Sequence, residues 1–366
     1  MVLNLYHKLK FKKKFYIKPL SFVNQKIGKL LSDKNKALRL AGGNLYFTEI
    51  LLISRGKDIN ERLYSVFDFL RSKIYKSSNQ LKNIIKNISS RRSLLDNKNF
   101  FEKKKNYIFG ILNITPDSFS DGGDSLNYEN ALRNANSMIE EGADFLDIGG
   151  ESTRPGAKKI SSNEELLRIL PIIQELVNKK IKISVDTRNS STMRISIISG
   201  ASIINDVSAL CNDKDSVTNI ARNKSPVILM HMPGNPLTMM KNNNYQNTVL
   251  DVYDFLESRI EFCKEYKISK NKIIIDPGIG FGKDSNQNLS ILKNISIFHS
   301  LGCPIMLGVS RKRFISSFSK KCEPKERFPG SIAAEIHGIS NGVQILRVHD
   351  VKETRQAIDI WNSINL

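Results

Sequence analysis

From Tyr107 onward the chain alternates short, almost wholly apolar runs with longer stretches whose apolar positions recur at helical spacing. Eight runs are found: Tyr107–Ile114, Phe145–Ile148, Ile181–Val185, Ser202–Val207, Val227–Met230, Ile273–Ile275, Pro304–Val309 and Val343–Val348. Runs without polar alternation suit strands buried on both faces, as parallel strands are. The stretches between them read as helices. Tyr128–Glu141 and Val249–Tyr266 carry the period, and Ser162 with Glu165 forms a capping box opening Asn163–Asn178. Eight βα units in roughly 260 residues match an α/β protein built as a (β/α)8, or TIM, barrel. A doubly wound open sheet competes, because the same alternation builds both.

Polar residues at the run ends favour the barrel. Asn113, Asp147, Asp186, Asn205, His231, Asp276, Ser310 and His349 each stand at the C-terminal end of one run, from the first to the eighth. A closed barrel brings all eight ends to one mouth, whereas an open sheet uses mainly those beside its switch point.

Residues 1–105 lack this regularity and take no assignable fold from the sequence. Asn44–Ser54, NLYFTEILLIS, is β-branched and aromatic and predicts one or two strands. Asp58–Tyr75 places Leu63, Val66, Phe67, Leu70 and Ile74 at helical spacing, Leu81–Ile88 suggests a further basic helix, and Lys103–Lys105 reads as a linker. The division expected is therefore a basic extension over 1–105 and a barrel over 106–366.

Charge sharpens that division. Through Lys105 there are 25 Lys and Arg against 7 Asp and Glu, so nearly all of the chain's net +20 lies in the extension and the remainder is almost neutral. Clustered basic residues can mark a nucleic-acid surface, but here they lie outside the barrel, and heavy use of Lys, Asn and Ile explains them without a specific nucleic-acid partner. If the barrel alone carries the chemistry, the extension is dispensable for it. No run approaches the ~20 apolar residues of a membrane span. Cys211, Cys263, Cys303 and Cys322 lack paired short spacings, as expected of reduced thiols in a bacterial-type cytoplasm. With Asp33 the one acidic residue among the first 40, an organellar presequence stays open.

The strand ends carry strings that resemble one family closely. NITPDSFSDGG at Asn113–Gly123 and GGESTRPGA at Gly149–Ala157 are similar to the paired active-site loops of dihydropteroate synthases. The resemblance continues through VDT at Val185–Thr187, NDVSAL at Asn205–Leu210, MHMPGNPLTM at Met230–Met239, DPGIGFGK at Asp276–Lys283, GVSRKRFI at Gly308–Ile315 and RVHDV at Arg347–Val351. LAGGNLYFTEILLISR at Leu40–Arg55 loosely resembles the lead-in of some bacterial synthases, and reads equally as a generic hairpin.

The resemblance implies condensation of 6-hydroxymethyl-7,8-dihydropterin pyrophosphate with para-aminobenzoate, with Mg2+ as cofactor and a homodimer as the assembly. It implies that Asp276, Asp186 and Asn205 read the polar edge of the pterin, that Met230 and Phe281 contact its faces, that Lys312 reaches a ring acceptor, and that Gly280 and Gly308 leave room for a planar ligand. For the pyrophosphate it implies Asn113, as metal contact, with Thr153, Arg154, Arg347 and His349. Asp117, Ser118 and Phe119 on the first loop, and Ser152, Thr153, Arg154 and Pro155 on the second, would close over the site. Phe119, Pro155 and Ser310 would shape the para-aminobenzoate pocket, with a helix start at Arg311 facing its carboxylate. Asp117, Thr153, Arg154 and Lys312 carry the catalytic expectation.

Taken singly these residues have plainer readings: Asp276 before Pro277 and Asp186 before Thr187 as turn caps, Met230 and Phe281 as core, His349 as a structural histidine. GIGFGK at Gly278–Lys283 invites a phosphate-loop reading but is one residue short of the motif, with Asp284 in place of Ser or Thr. Two other functions compete with the synthase. A corrinoid-dependent methyltransferase shares the barrel and the DPG-type motif, and lacks the pyrophosphate-binding strings present here. A catalytically idle assembly protein would have lost motif residues, and none of the matched positions is lost.

Overall fold

The computed structural model describes residues 13–92, 106–114, 124–153, 156–157, 159–241 and 243–365, the side chains of 124–127 excepted. The N-terminal region folds as an antiparallel sheet backed by helices. Its elements are β1 (Lys14–Val23), α1 (Gln25–Ser32), β2 (Leu38–Arg39), β3 (Tyr46–Arg55), β4 (Ile59–Ser65), α2 (Val66–Arg71), α3 (Lys73–Ser77) and α4 (Asn79–Ser89). The central strand β3 pairs with β1 along one edge and with β2 and β4 along the other. The apolar run at Asn44–Ser54 is thus one strand. Asp58–Tyr75 corrects the expectation of a single helix. Its first half is β4, which pairs Leu63 with Leu51 and Glu61 with Ile53, and Ser65 then caps α2 by accepting a hydrogen bond from the Asp68 N–H. The edge strand β4 is largely exposed, so it shows no buried alternation that would announce it.

The two faces of this sheet do different work. Ile17, Phe47, Ile50 and Leu52 pack on Val66, Phe69, Leu81, Ile84, Ile85 and Ile88 from α2 and α4. On the opposite face, Tyr16 and Ile53 join the main core of the barrel.

The barrel strands are β5 (Tyr107–Asn113), β6 (Phe145–Gly149), β7 (Ile183–Asp186), β8 (Ile203–Asp206), β9 (Val227–Met230), β10 (Ile273–Asp276), β11 (Met306–Leu307) and β12 (Ile345–Val348). They run parallel in chain order, with β12 returning to β5. Between β10 and β11 the ring is completed by a bridge of Ile275 to Ile305 and a 3.0 Å bond from the Ile275 N–H to the Pro304 carbonyl. This closure decides for the barrel over the open sheet. One strand face points inward, where Tyr107, Phe109, Phe145, Ile203, Ile228, Ile274, Met306 and Ile345 fill the interior and Phe109 stacks on Phe145 at 4.5 Å. The other packs on the surrounding helices, hence the continuous apolar runs.

The helices are α5 (Asp124–Glu140), α6 (Ser162–Asn178), α7 (Ser190–Ile198), α8 (Ser216–Arg222), α9 (Thr248–Glu265), α10 (Ser285–Lys293), α11 (Arg313–Phe318), α12 (Phe328–Ser340) and α13 (Val351–Asn365), with a 3-10 turn at Ile295–Leu301 after α10. The capping expectation for α6 is corrected by one residue. Ser161 is the cap and accepts from the Glu164 N–H, while Glu165 is buried and accepts from Thr187, Asn189 and Thr192.

The extension is seated on α9 and the 3-10 turn. Lys14 Nζ lies 2.6 Å from Asp254, Tyr16 Oη donates to the same carboxylate at 2.9 Å, and Arg55 reaches Asp251 at 2.6 Å and Asp254 at 3.2 Å. Along the outer edge of β1, the carbonyls of Ile17 and Pro19 accept from the Ser300 and Ser296 hydroxyls. Arg92, almost fully buried, donates to the carbonyls of Asn87, Ser90 and His299, joining the end of α4 to the barrel. Among the described residues no helix is long and apolar enough to cross a membrane, and all four cysteines are free thiols.

Candidate active site

The carboxylates at the barrel mouth meet around one arginine. Arg347, from β12, donates through Nε to Asp147 at 2.5 Å and through a terminal nitrogen to Asp186 at 2.8 Å. Asp147 is fully buried and also accepts from Asn205 at 3.0 Å. Burial works against the charge of Arg347, but Asp147 and Asp186 outweigh it and hold the guanidinium more strongly protonated than usual. Burial pushes Asp186 upward; Arg347 opposes this and Asp147 adds to it. One oxygen of Asp147 and one of Asp186 are buried with no hydrogen-bond partner among the described residues. Buried acceptors left open in this way mark a place for a ligand donor.

Beside this cluster lies a small cavity. Asp186, Asn205, Met230, Asp276, Phe281, Gly308 and Lys312 all line it, as do Val207, Ile279 and Arg347. Of the residues expected to hold a pterin, Gly280 alone is outside this lining, and it lies directly behind Lys312. A Cβ on Gly280 would stand 3.0 Å from Lys312 Cδ, and its φ of +83° suits glycine. Asp276 is buried, its Oδ1 accepting from the Gly278 N–H at 2.7 Å. Burial raises its pKa, against the Gly278 N–H and Lys312. Lys312 sits over the Phe281 ring at 4.2 Å; burial and then Arg347 lower its pKa to about 8, against the pull of Asp276 and Asp186. Met230 packs with Val207, Met232 and Met239, with Phe281 against them. The space is therefore flanked by apolar and π surfaces and edged by carboxylate acceptors, an amide and cationic donors. Such a lining fits a flat heterocycle that carries both N–H donors and ring acceptors.

Asn113, at the end of β5, places its Oδ1 3.6 Å from where a Cβ on Gly149 would stand, a position also bordered by Asp186. His349 and Ser310 are joined: Nδ1 lies 3.1 Å from Ser310 Oγ, which also accepts from the His349 N–H. The expected helix start at Arg311 is corrected. Arg311 has a φ of +58° and pairs with Asp350, and α11 begins at Arg313 with Lys312 as its cap. Thr153 is half-buried at the start of the β6–α6 connection. Asp117, Ser118, Phe119, Arg154 and Pro155 lie outside the described residues.

Three features of the mouth escaped the sequence reading. Asp147 was among the polar residues at the run ends, but its pairing with Arg347, 200 residues away, was not visible. Glu151 and Arg188 form a buried two-bond pair, both contacts at 2.9 Å, linking the start of the β6–α6 connection to the residue that follows Asp186 and Thr187. Lys283 is buried against His231.

The comparisons with known proteins agree with this geometry. The family model described as "Pterin binding enzyme" matches residues 109–349. The dihydropteroate synthase of Synechocystis is 39% identical over 262 residues, covering 71% of this chain and 91% of that protein. The Escherichia coli enzyme is 41% identical over 255 residues, covering 69% and 90%. Among solved structures, Xanthomonas albilineans dihydropteroate synthase with 4-aminobenzoic acid superposes with a TM-score of 0.68 at 40% identity, over 71% of this chain and 93% of that one. The same enzyme in complex with 7,8-dihydropteroate gives 0.65 at 38%, over 71% and 94%. A barrel with this mouth and relatives of this closeness belongs to the pterin-binding family, within which the chain is a dihydropteroate synthase, a transferase of folate biosynthesis.

Proposed function

We propose that the mouth of the barrel holds the pterin of 6-hydroxymethyl-7,8-dihydropterin pyrophosphate in the cavity beside Arg347 and directs para-aminobenzoate onto its exocyclic methylene. The observation that carries this reading is the gathering of Asp186, Asn205, Asp276, Lys312 and Arg347 around one cavity that Met230 and Phe281 also line. Asp276 and Asp186 accept from the amino-pyrimidine edge, Asn205 reads a further polar atom, and Lys312 donates to a ring acceptor. Gly280 and Gly308 leave the ring close to backbone. Asn113, Thr153, Arg347 and His349 face the pyrophosphate. Ser310, tied to His349, stands between that group and the benzoate. Asp117, Phe119, Arg154 and Pro155 keep the roles that the resemblance implies.

These residues act by position and charge. As the carbon–oxygen bond breaks, the pterin takes up positive character beside Asp276 and Asp186, and the departing pyrophosphate meets Arg347 and His349. The amine of para-aminobenzoate then forms the carbon–nitrogen bond and gives up a proton, so dihydropteroate and pyrophosphate are the products and no enzyme nucleophile is needed.

A magnesium ion fits this arrangement. Asn113 offers one hard oxygen at the mouth. That suits an ion held largely by substrate phosphate oxygens and water. When bound, it neutralises charge on the leaving group.

Residues 106–366 carry the reaction, and the sheet and helices of Lys14–Ser89 are seated against the barrel. Pairing of two copies is supported by Ile360 and Ile364, exposed one turn apart on α13, and the free thiols suit the cytoplasm. The test is a coupled assay of the purified full chain with the pterin pyrophosphate, para-aminobenzoate and Mg2+. Dihydropteroate should appear only when all three are present. No product with a folded protein would refute the assignment.

A further inference from the structure

The turn that follows β10 is wound around a lysine. Lys283 is 3% exposed, and its Nζ donates to the carbonyls of Gly278 at 2.8 Å and Phe281 at 2.9 Å, both within its own turn. It also lies 2.9 Å from Nδ1 of His231. A longer contact of 3.4 Å reaches the His231 carbonyl, so every proton of the amine has an acceptor close by. Burial lowers Lys283 to about 7, with Asp276 opposing, and lowers His231 well below its ordinary range, so the imidazole is neutral; in the tautomer protonated at Nε2, its Nδ1 accepts from Lys283.

The turn admits few alternatives. Gly278, Gly280 and Gly282 have φ of +71°, +83° and +58°, and a Cβ on Gly278 would lie 2.0 Å from the His231 carbonyl oxygen. The His231 N–H donates to the Asp276 carbonyl at 3.0 Å, and the imidazole packs edge-on to Phe255 at 4.9 Å. Lys283 is thus fixed to β9 on one side and grips its own turn on the other. The turn carries Phe281, whose ring lies under Lys312, and follows directly from Asp276.

We infer that Lys283 is a positioning residue for pterin binding, acting through the carbonyls of Gly278 and Phe281 to set Phe281 and Asp276 against the ligand. The geometry also explains what the lysine of GIGFGK does in place of binding phosphate: its amine turns back into its own loop. The inference rests on reading the mouth as the pterin site.

The experiment compares wild type with Lys283→Met, which keeps chain length and apolar bulk but takes the amine from both carbonyls, leaving that of Gly278 only the Phe281 N–H at 3.2 Å. Calorimetric titration with a pterin lacking phosphates should show at least a tenfold loss of affinity, and the KM for the pterin pyrophosphate should rise by a similar factor. The KM for para-aminobenzoate should stay within about twofold, and Lys283→Arg should recover part of the pterin affinity. A folded Lys283→Met that binds pterin like wild type overturns the inference. So does an equal rise in both KM values, which would show a general structural role. If Lys283→Met does not fold, His231→Leu, which removes the imidazole acceptor, gives the decision: weaker pterin binding with an unchanged para-aminobenzoate KM supports the inference, and unchanged pterin binding overturns it. Failure of the wild type itself to bind pterin would remove the reading of the site, and this inference with it.

Discussion

Replacing Tyr16 by alanine tests whether the N-terminal sheet and the barrel unfold as one unit. Tyr16 is fully buried in the barrel core, packs edge-on against Tyr253 with ring centroids 5.1 Å apart, and donates its hydroxyl to Asp254. Truncating a buried aromatic side chain to alanine typically costs about 3 to 5 kcal/mol. Tyr16→Phe keeps the ring and loses only a hydrogen bond to a charged acceptor, roughly 1.5 to 3 kcal/mol. Asp254 retains Lys14 and Arg55 in both variants, so no bare buried charge inflates either figure. The chain has a single tryptophan, Trp361 on α13, packed against the barrel core. Its fluorescence reports barrel unfolding, while far-ultraviolet circular dichroism reports the whole chain. In urea, both signals should shift together to lower midpoints, with Tyr16→Ala displaced further than Tyr16→Phe. If the Trp361 transition stays in place while a separate, earlier transition grows in the dichroism, the extension is an independent unit. In that case a barrel starting near Asn106 would stand alone, as the charge division first implied; with a shared core, that truncation is expected to be strongly destabilised.

Asp276→Asn removes one charge-assisted acceptor from the pterin edge and should weaken pterin binding by at least about 2 kcal/mol, on the order of thirtyfold; calorimetry showing unchanged affinity would take Asp276 out of the site. Arg347→Ala leaves Asp147 and Asp186 without their cation, a loss of about 3 to 5 kcal/mol for a broken buried pair. It should lower the melting temperature and weaken binding of a plain pterin as well as turnover; a variant that loses turnover with plain-pterin affinity intact would assign Arg347 to the pyrophosphate alone. Glu335, 2% exposed between α12 and α13, accepts from Thr354, and burial raises it to about 8. The folded state then holds a proton that the unfolded chain releases above about 4.5, so this group makes stability fall as pH rises from about 4.5 through 8. Glu335→Gln should flatten that decline and raise the melting temperature at pH 8 more than at pH 5, and a parallel shift at both would refute the titration argument.

The strands of the barrel were legible because each is buried on both faces, and Asp186, Asn205 and Asp276 were legible because a polar group ending such a strand has no packing reason to be there. What could not be read falls into two kinds. The carboxylate partners of Arg347 are one, since nothing near it in the chain shows that Asp147 and Asp186 would come within hydrogen-bond distance across the barrel. Where two local patterns overlapped, tertiary contacts decided between them. SSNEE contains two capping boxes in adjacent registers, and Ser161 prevails because Glu165 is drawn inward by Thr187, Asn189 and Thr192. Lys14–Val23 escaped notice as a strand because Pro19 breaks the pattern; β1 is an edge strand of its sheet, and an edge position tolerates a residue without an N–H.

The positive charge of the extension takes on a different meaning once the fold is known. A strongly basic segment beside a neutral domain reads first as a surface for an acidic polymer. Yet Lys14 and Arg55 are turned toward Asp251, Asp254 and Glu257, a patch of carboxylates on α9 that would otherwise face solvent in one block. Like charges so close on one helix repel, and cations from a neighbouring sheet relieve that repulsion where they are partly shielded from water. Near neutrality of the barrel as a whole therefore hides a local excess of negative charge on α9, which the extension covers. Charge sums along a sequence average over such patches, so the complementarity that joins the two regions becomes visible only when β1 and β3 are laid against α9.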